Sequence, residues 1–255
     1  MQEKQTILSA RGLCKSFAHN GGQVHVLNGV DLDIYAGDFT VIMGASGSGK
    51  STLLYALSGM DRATAGSVLY QGSDLAGMSE KQLTALRRSD FGFIFQQMHL
   101  VSNLTLRENI TVPGYLNPKK TAAVIDSRAD SLLEQMGLSH IRDHLPSQCS
   151  GGEQQRCAVA RAIIHEPVLL FADEPTGALN KRNTTEVLDL LTALNKAGQS
   201  VLMVTHDARA ALRASRIIYI SDGKVVSELS LPPYDAAEEK HREAQTGAWL
   251  AAMEW

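Results

Sequence analysis

The chain has 255 residues, 44% of them hydrophobic and 20% charged, and 24 Lys and Arg against 27 Asp and Glu give a formal charge of −3. That length suits one large α/β domain or two small ones, and the ordinary composition excludes disorder and collagen-like repeats. The slightly acidic balance argues against broad nucleic-acid binding, which calls for a basic surface.

No run approaches the roughly 18–20 uninterrupted apolar residues of a membrane-spanning helix. The opening MQEKQTILSARG lacks the apolar core of a signal peptide, so the expectation is a cytosolic chain that does not cross a membrane by itself. Residues 7–13, 24–27 and 30–34 read as short strands, with Asn20, Gly21 and Gly22 as turn residues between the first two. The alternation in VDLDI is that of a half-buried antiparallel strand. Residues 39–43 (FTVIM) form a continuous apolar run ending at a glycine loop, the pattern of a strand buried on both faces.

Residues 98–145 lack β-type runs, while 122–136 carry helical spacing at Val124, Ile125, Leu132, Leu133 and Met136, which predicts a helical insertion. Two further apolar runs, 168–172 (VLLFA) and 200–205 (SVLMVT), each follow a predicted helix, over 153–165 and 184–197. Strand, helix, strand in succession predicts a parallel sheet covered by helices. A hairpin is expected from 217–220 and 224–228 around Asp222-Gly223. After Pro232-Pro233 the tail 235–255 is rich in Ala and Glu and ends in Trp249, Leu250, Met253 and Trp255. It reads as a helix docking its apolar end on its own domain, with a partner-binding helix as the alternative. Cys14, Cys149 and Cys157 form no CxxC pair and no even framework, which reads as reduced thiols.

The stretch Gly44-Ala45-Ser46-Gly47-Ser48-Gly49-Lys50-Ser51 fits G-x-x-x-x-G-K-[ST] directly after the apolar strand, with a helix expected from Ser51 and Thr52 onward. Glycines let backbone N–H groups point into one concavity around a phosphate, and the helix N-terminus adds its dipole. Lys50 supplies a point charge at the β- and γ-phosphates, and the Ser51 hydroxyl is a hard oxygen ligand for Mg²⁺. This loop is a nucleotide site. Asp173 and Glu174 end the apolar run VLLFA, where parallel α/β sheets place their ligands. Asp173 suits a Mg²⁺ ligand and Glu174 a proton acceptor for attacking water. Alternatively the pair caps the following segment, where Pro175 suits a helix start.

Between these motifs, Cys149-Ser150-Gly151-Gly152-Glu153-Gln154-Gln155-Arg156 opens a helix and resembles the LSGGQ signature of the ATP-binding cassette (ABC) family. The resemblance runs from about residue 7 to 228. It implies an α/β fold: a P-loop NTPase (RecA-like) core with an N-terminal antiparallel β-subdomain and an inserted α-helical subdomain. The nucleotide-binding domain is then expected over 1–231, with the helical subdomain about 98–166 inserted and a helical tail over 232–255. By the same resemblance Gln96 in FIFQQ is the Q-loop glutamine, a neutral oxygen for Mg²⁺ or water, and Asp173 with Glu174 are the Walker B pair. Gly177-Ala178-Leu179-Asn180 match the D-loop, and His206 in VTHD matches the switch histidine. Phe17 in KSF takes the place of the aromatic residue that stacks on adenine, with an ordinary strand-end aromatic in the core as the alternative. Ser150, Gly151 and Gly152 would present backbone N–H groups to the γ-phosphate of a second copy, so that two ATPs are sandwiched in a dimer.

Three positions depart from the family pattern. Cys149 replaces Leu, Glu153 replaces Gln and puts a negative charge near the anion, and Asn180 replaces the D-loop Asp. Within the family, MGASGSGKST, GFIFQQMHL, LTLRENI and FADEPTGALN resemble the branch of macrolide-export, lipoprotein-release, cell-division and bacitracin-resistance ATPases. That implies Mg-ATP hydrolysis at the cytoplasmic face of a membrane, peripheral to an FtsX-like transmembrane permease, driving export, extraction or peptide resistance. The segment 97–116 would receive the permease, with Met98, Leu100, Leu104 and Tyr115 lining the groove or else buried in the helical insertion. A regulatory subunit that signals through a membrane complex without transport shares every one of these residues. A soluble ATPase linked to nucleic acid is disfavoured by the charge of −3.

Overall fold

The computed structural model describes residues 4–19, 21–117 and 120–253, so the turn residue Asn20 and the terminal Trp255 lie outside the described residues. In chain order the first elements are β1 (Thr6–His19), β2 (Gly22–Tyr35), β3 (Phe39–Met43), α1 (Lys50–Leu57), β4 (Ala65–Tyr70), β5 (Ser73–Asp74) and α2 (Glu80–Ser89). There follow β6 (Phe91–Phe95), α3 (Leu106–Tyr115), α4 (Ala122–Gln135), α5 (Gly151–Ile163), β7 (Leu169–Asp173) and α6 (Lys181–Lys196). The chain continues with β8 (Ser200–Val204), α7 (Ala208–Ala211), β9 (Arg216–Ser221), β10 (Lys224–Ser230) and α8 (Glu239–Ala251). Two compact units result, one from the residues up to 83 with those from 195 onward, the other from 84–194.

In the first unit, β2, β1, β4 and β5 form an antiparallel sheet in that order. The three short strands expected here are two long ones. The pairing of β2 with β1 passes the Asn28-Gly29 break by shifting register, as a bulged ladder does, instead of ending there. Along VDLDI, Val30, Leu32 and Ile34 are buried while Asp31 is exposed, the alternation read from the sequence. Strand β3 runs parallel to β8 on one side and β9 on the other, and every residue of β3 and β8 is buried. Helix α1 covers this sheet with Leu53, Leu54 and Leu57, each worth about 2 kcal/mol of burial. The β9–β10 hairpin turns at Asp222 and Gly223, both left-handed (φ 48° and 71°), a type I′ pair that matches the strand twist. Strand β8 ends one residue earlier than expected, at Val204, although Thr205 N–H still donates to the Ile42 carbonyl of β3 (3.1 Å).

The tail docks within this same unit. Leu250 is buried, Trp249 meets Tyr219 edge-on at 6.4 Å, and its Nε1 donates to Ser227 Oγ at 3.1 Å. Arg242, only 1% exposed, donates to the carbonyls of Leu212 (2.9 Å), Pro232 (2.7 Å) and Ala214 (2.5 Å). The Tyr234 ring takes Arg242 at 5.6 Å and Arg213 at 4.3 Å. Helix α8 is thereby pinned to the residues that follow α7.

In the second unit β6 pairs in parallel with β7, in register from Phe91 on Leu169 to Phe95 on Asp173. The alternation in FGFIF puts Phe91, Phe93 and Phe95 on one face, where Phe93 stacks on Phe171 (5.4 Å) and Phe91 meets it edge-on (5.0 Å). Helices α3, α4 and α5 pack together beside them, with Gly114 of α3 against Ile125 of α4 and Ile164 beyond α5. The structure adds β4, β5, α2, β6, α3 and the short α7 to the elements expected, and starts the two later helices at Gly151 and Lys181, earlier than the apolar spacing indicates.

Arg242→Ala is expected to weaken the docking of α8 by about 2 kcal/mol, since it strips three carbonyls of a charged donor. Amide exchange across residues 239–251 checks this: protection should fall roughly 30-fold there while β3 and β8 keep theirs.

Candidate functional site

In the first unit the phosphate loop spans the gap from β3 to α1. A Cβ on Gly44 would lie 2.2 Å from the Ile220 carbonyl oxygen and 2.6 Å from Ser48 Oγ, so bare backbone is a steric requirement where the loop passes β9. The hairpin holds the loop from that side. Gly223 N–H donates to the Ser48 carbonyl (3.3 Å), and the Gly223 carbonyl accepts from Asn28 N–H (2.9 Å) of β2. Ala45, Ser46 and Gly47 are exposed at the tip, while Ser48, Gly49 and Lys50 are buried. Lys50 turns back over the loop, its Nζ donating to the carbonyls of Gly44 (2.8 Å) and Ala45 (2.9 Å). Gly49 is the N-cap of α1, which receives no side-chain cap, so the dipole of that helix end faces the loop uncompensated by a side chain. Ser51 and Thr52 follow, both half-buried. Ser48 Oγ is buried with no hydrogen-bond partner among the described residues, an acceptor-donor that a phosphate oxygen would satisfy.

Phe17 lies on β1, opposite Val24 of β2, and both side chains are exposed. It is a surface aromatic, and the core-packing use of it does not apply. Its ring carries Lys15 Nζ at 4.8 Å, and that ammonium is fixed by Asp61 Oδ1 (2.6 Å) and the Arg62 carbonyl (2.7 Å) just beyond α1. His206 is exposed on the loop after β8, the strand beside β3. The loops bearing His206 and the phosphate-loop glycines therefore leave adjacent strands at the same end.

In the second unit the register of β6 on β7 sets the Gln96 loop beside Glu174, since Phe95 pairs with Asp173 and the next residues begin neighbouring loops. Asp173 is buried as the last residue of β7, and Glu174 takes a left-handed backbone (φ 46°) that side chains other than Gly, Asn and Asp rarely adopt. Its carbonyl accepts from Gly177 N–H at 3.0 Å. Gln96 lies against Gly177, where a Cβ would stand 2.7 Å from Gln96 Nε2. Sequence reasoning missed two organisers of this region. Gln155 of α5 is fully buried and donates from Nε2 to the carbonyls of Pro175 (2.7 Å) and Phe95 (3.3 Å). Asn109 of α3 is buried too; it accepts from Val101 N–H (2.7 Å) and donates to the carbonyls of Val101, Leu104 and Thr105. The S-x-x-E spacing around the signature was the available signal for α5; a lone polar residue on an apolar helical face was the signal for Gln155 and Asn109.

Ser150 caps α5, and Ser150 and Glu153 form a reciprocal capping box. The Glu153 carboxylate accepts from both Ser150 N–H and Ser150 Oγ–H, each at 2.7 Å, and these bonds hold it below the usual carboxylate range. The departure from Gln thus turns its charge back on its own helix start. Burial, with the Glu153 carboxylate behind it, pushes the Cys149 thiol up, which keeps it protonated. Gly151 is exposed and Gly152 buried, with Asn183 so near that a Cβ on Gly152 would stand 2.6 Å from its amide. Asn180 accepts from Asn183 N–H at 3.0 Å, so its side chain caps the start of α6. Of the four residues expected to line a groove, Met98, Leu100 and Leu104 are half-buried and Tyr115 is 46% exposed, its hydroxyl donating to Asp126 at 2.6 Å.

Comparison with known proteins places these residues in context. Residues 27–177 match the ABC transporter family. The chain is 42% identical over 226 residues to the bacitracin export ATP-binding protein BceA of Halalkalibacterium halodurans, covering 88% of each. It is 44% identical over 222 residues to the macrolide export ATP-binding/permease protein MacB 1/2 of Paracoccus denitrificans, covering 87% of this chain and 33% of that protein. It thus spans about a third of the length of that exporter. Among solved structures, it resembles a dimeric ATP-binding cassette in a post-hydrolysis state bound to ADP and phosphate. The TM-score is 0.82 at 35% identity, covering 89% of this chain and all of that one.

Glu153→Ala is expected to destabilise the start of α5 by about 1 kcal/mol, and Glu153→Gln to keep the box. Because the Glu153 carboxyl is depressed, its contribution is present above the ordinary carboxylate range and lost as pH falls through its own lowered value. Acid titration of the melting temperature should show that loss in the native chain and not in Glu153→Gln.

Proposed function

Since the chain belongs to the ABC transporter family and is an ATP-binding, ATP-hydrolysing cassette, we propose that it works as the Mg-ATP-driven subunit of a membrane export complex. The observation that carries this reading is the phosphate loop. Lys50 is turned onto its concave side, an uncapped helix end faces it, and the buried Ser48 hydroxyl waits for a partner. Phe17 stacks on adenine. Gly44, Ser46, Gly47, Ser48, Gly49, Lys50, Ser51 and Thr52 hold the phosphates.

The donor set fits Mg²⁺. Among the described residues no group of three His, Cys, Asp or Glu forms a metal cage, and Mg²⁺ bound with nucleotide needs only one or two protein oxygens beside phosphate and water. Ser51, Gln96 and Asp173 offer hard oxygens for it, and when bound it neutralises charge on the β- and γ-oxygens. Glu174 accepts a proton from water as the water oxygen bonds to the γ-phosphorus. The bond from that phosphorus to the bridging oxygen breaks, leaving ADP and phosphate. His206 orients the γ-phosphate and the water. Two copies close around two nucleotides, each giving Ser150, Gly151 and Gly152 to the other's γ-phosphate, with Asn180 at the same seam. Closure must part Ser150 from Glu153, because that carboxylate already takes both Ser150 donors.

Bacitracin and macrolide export are what the relatives are named for. For this chain the partner is an FtsX-like permease that the half-buried Met98, Leu100, Leu104 and the exposed Tyr115 receive, which puts the cassette at the cytoplasmic face of a membrane. No described helix is long and apolar enough to cross one.

Glu174→Gln is expected to lower kcat by about 100-fold or more with ATP affinity held within roughly threefold. Wild-type turnover in that variant removes Glu174 from its role. Lys50→Ala should weaken ATP binding by at least about tenfold, measured by calorimetry. For the partner, Tyr115→Cys should crosslink to an FtsX-like membrane protein in native membranes, and crosslinking to soluble proteins alone would defeat that assignment.

A further inference from the structure

Gln155 is one of the few polar residues among those described with no exposed surface at all; it follows the Ser150–Gly152 signature on α5, and none of the roles given above uses it. Its amide nitrogen serves two carbonyls at once, Pro175 (2.7 Å) and Phe95 (3.3 Å). The first follows Glu174 directly and the second precedes Gln96 directly. We propose that Gln155 is a positioning residue that couples the Ser150–Gly152 end of α5 to the placement of Glu174 and Gln96. The proposal rests on the reading of Glu174 as proton acceptor in ATP hydrolysis.

Glu174 sits at φ 46°, a conformation that persists only where its surroundings impose it. Gly177 N–H holds the Glu174 carbonyl from one side, and Gln155 holds the next carbonyl from the other. Farther along α5, Arg161 donates to the carbonyls of Met98 and His99, both at 2.6 Å. The loop carrying Gln96 is therefore gripped at both ends by one helix, and Gln155 joins that grip to the turn after Glu174. Lastly, Gln155 Oε1 is buried with no partner among the described residues. A buried amide that leaves its acceptor unused is placed for its two donors, since apolar packing alone is served better by Leu or Met. Helix α5 is a stiff element, and its first turn is the one that a second copy's nucleotide engages. Any displacement of that turn reaches the carbonyls beside Gln96 and Glu174 through Gln155.

Gln155→Met keeps the side-chain length and removes both donors; Gln155→Asn keeps the amide and draws it back by one methylene. In the full chain, kcat for ATP is expected to fall roughly 10- to 100-fold in Gln155→Met and less in Gln155→Asn, the penalty of a slightly misplaced catalytic group. ATP affinity should stay near the wild-type value, and amide exchange at residues 95–99 and 174–177 should rise together. Turnover within about twofold of wild type in both variants overturns the proposal, as does a loss of ATP affinity parallel to kcat, which marks general unfolding. If Gln155→Met does not fold, Gln155→Asn decides by the same readouts. The underlying reading fails separately, if Glu174→Gln leaves turnover intact.

Discussion

The first unit depends on one close approach, bare backbone at Gly44 passing the Ile220 carbonyl of β9 where any side chain would collide. With that contact the phosphate loop sits against the β9–β10 hairpin, and Gly223 then bonds the loop on one side and Asn28 of β2 on the other. The antiparallel sheet, the parallel strands and the loop between them are thus fixed to one another by main-chain groups. Main-chain bonding of this kind does not vary with side-chain rotamer. That suits a loop whose task is to present N–H groups at fixed spacing to a small anion.

A device that recurs along the chain is a hydroxyl residue three positions before Glu or Gln. Thr105 with Glu108 starts α3, and Ser150 with Glu153 starts α5; ahead of α2, Ser79 and Gln82 bond the same way. The signature of the family is, in local terms, a capping box followed by two glycines. Its serine is shared between starting a helix and meeting a phosphate. The acidic partner in this chain makes the first use stronger, so the two uses compete for the same two donors.

Much of this was legible in the sequence. All of FTVIM and all but the first residue of VLLFA and the last of SVLMVT form buried strands, because continuous apolar stretches have no solvent face to spare, and their ends carry the phosphate loop, the acidic pair and His206. Helix α2 escaped because its ten residues are mostly polar and only Leu83 among them is buried, so its apolar stripe is narrow; its cap does the specifying. Strand β6 escaped because Gly92, admitted there by the Ala162 carbonyl close behind it, breaks the β-branched look of a strand. The long β1 and β2 escaped because register shifts absorb turn-like residues. Gln155 and Asn109 escaped for a further reason: their partners are backbone carbonyls, of distant segments for Gln155 and of the loop leading into α3 for Asn109, which no pattern of side chains records.

Both tryptophans of the chain, Trp249 and Trp255, belong to the C-terminal tail, and neither lies in a nucleotide motif. Trp249 is held edge-on to Tyr219 and bonded to Ser227 on the hairpin whose turn supports the phosphate loop. Intrinsic fluorescence is therefore a channel tuned to the tail. A change in emission on adding ATP would register strain passed along the hairpin, and silence would mean that the helix rides through the catalytic cycle undisturbed.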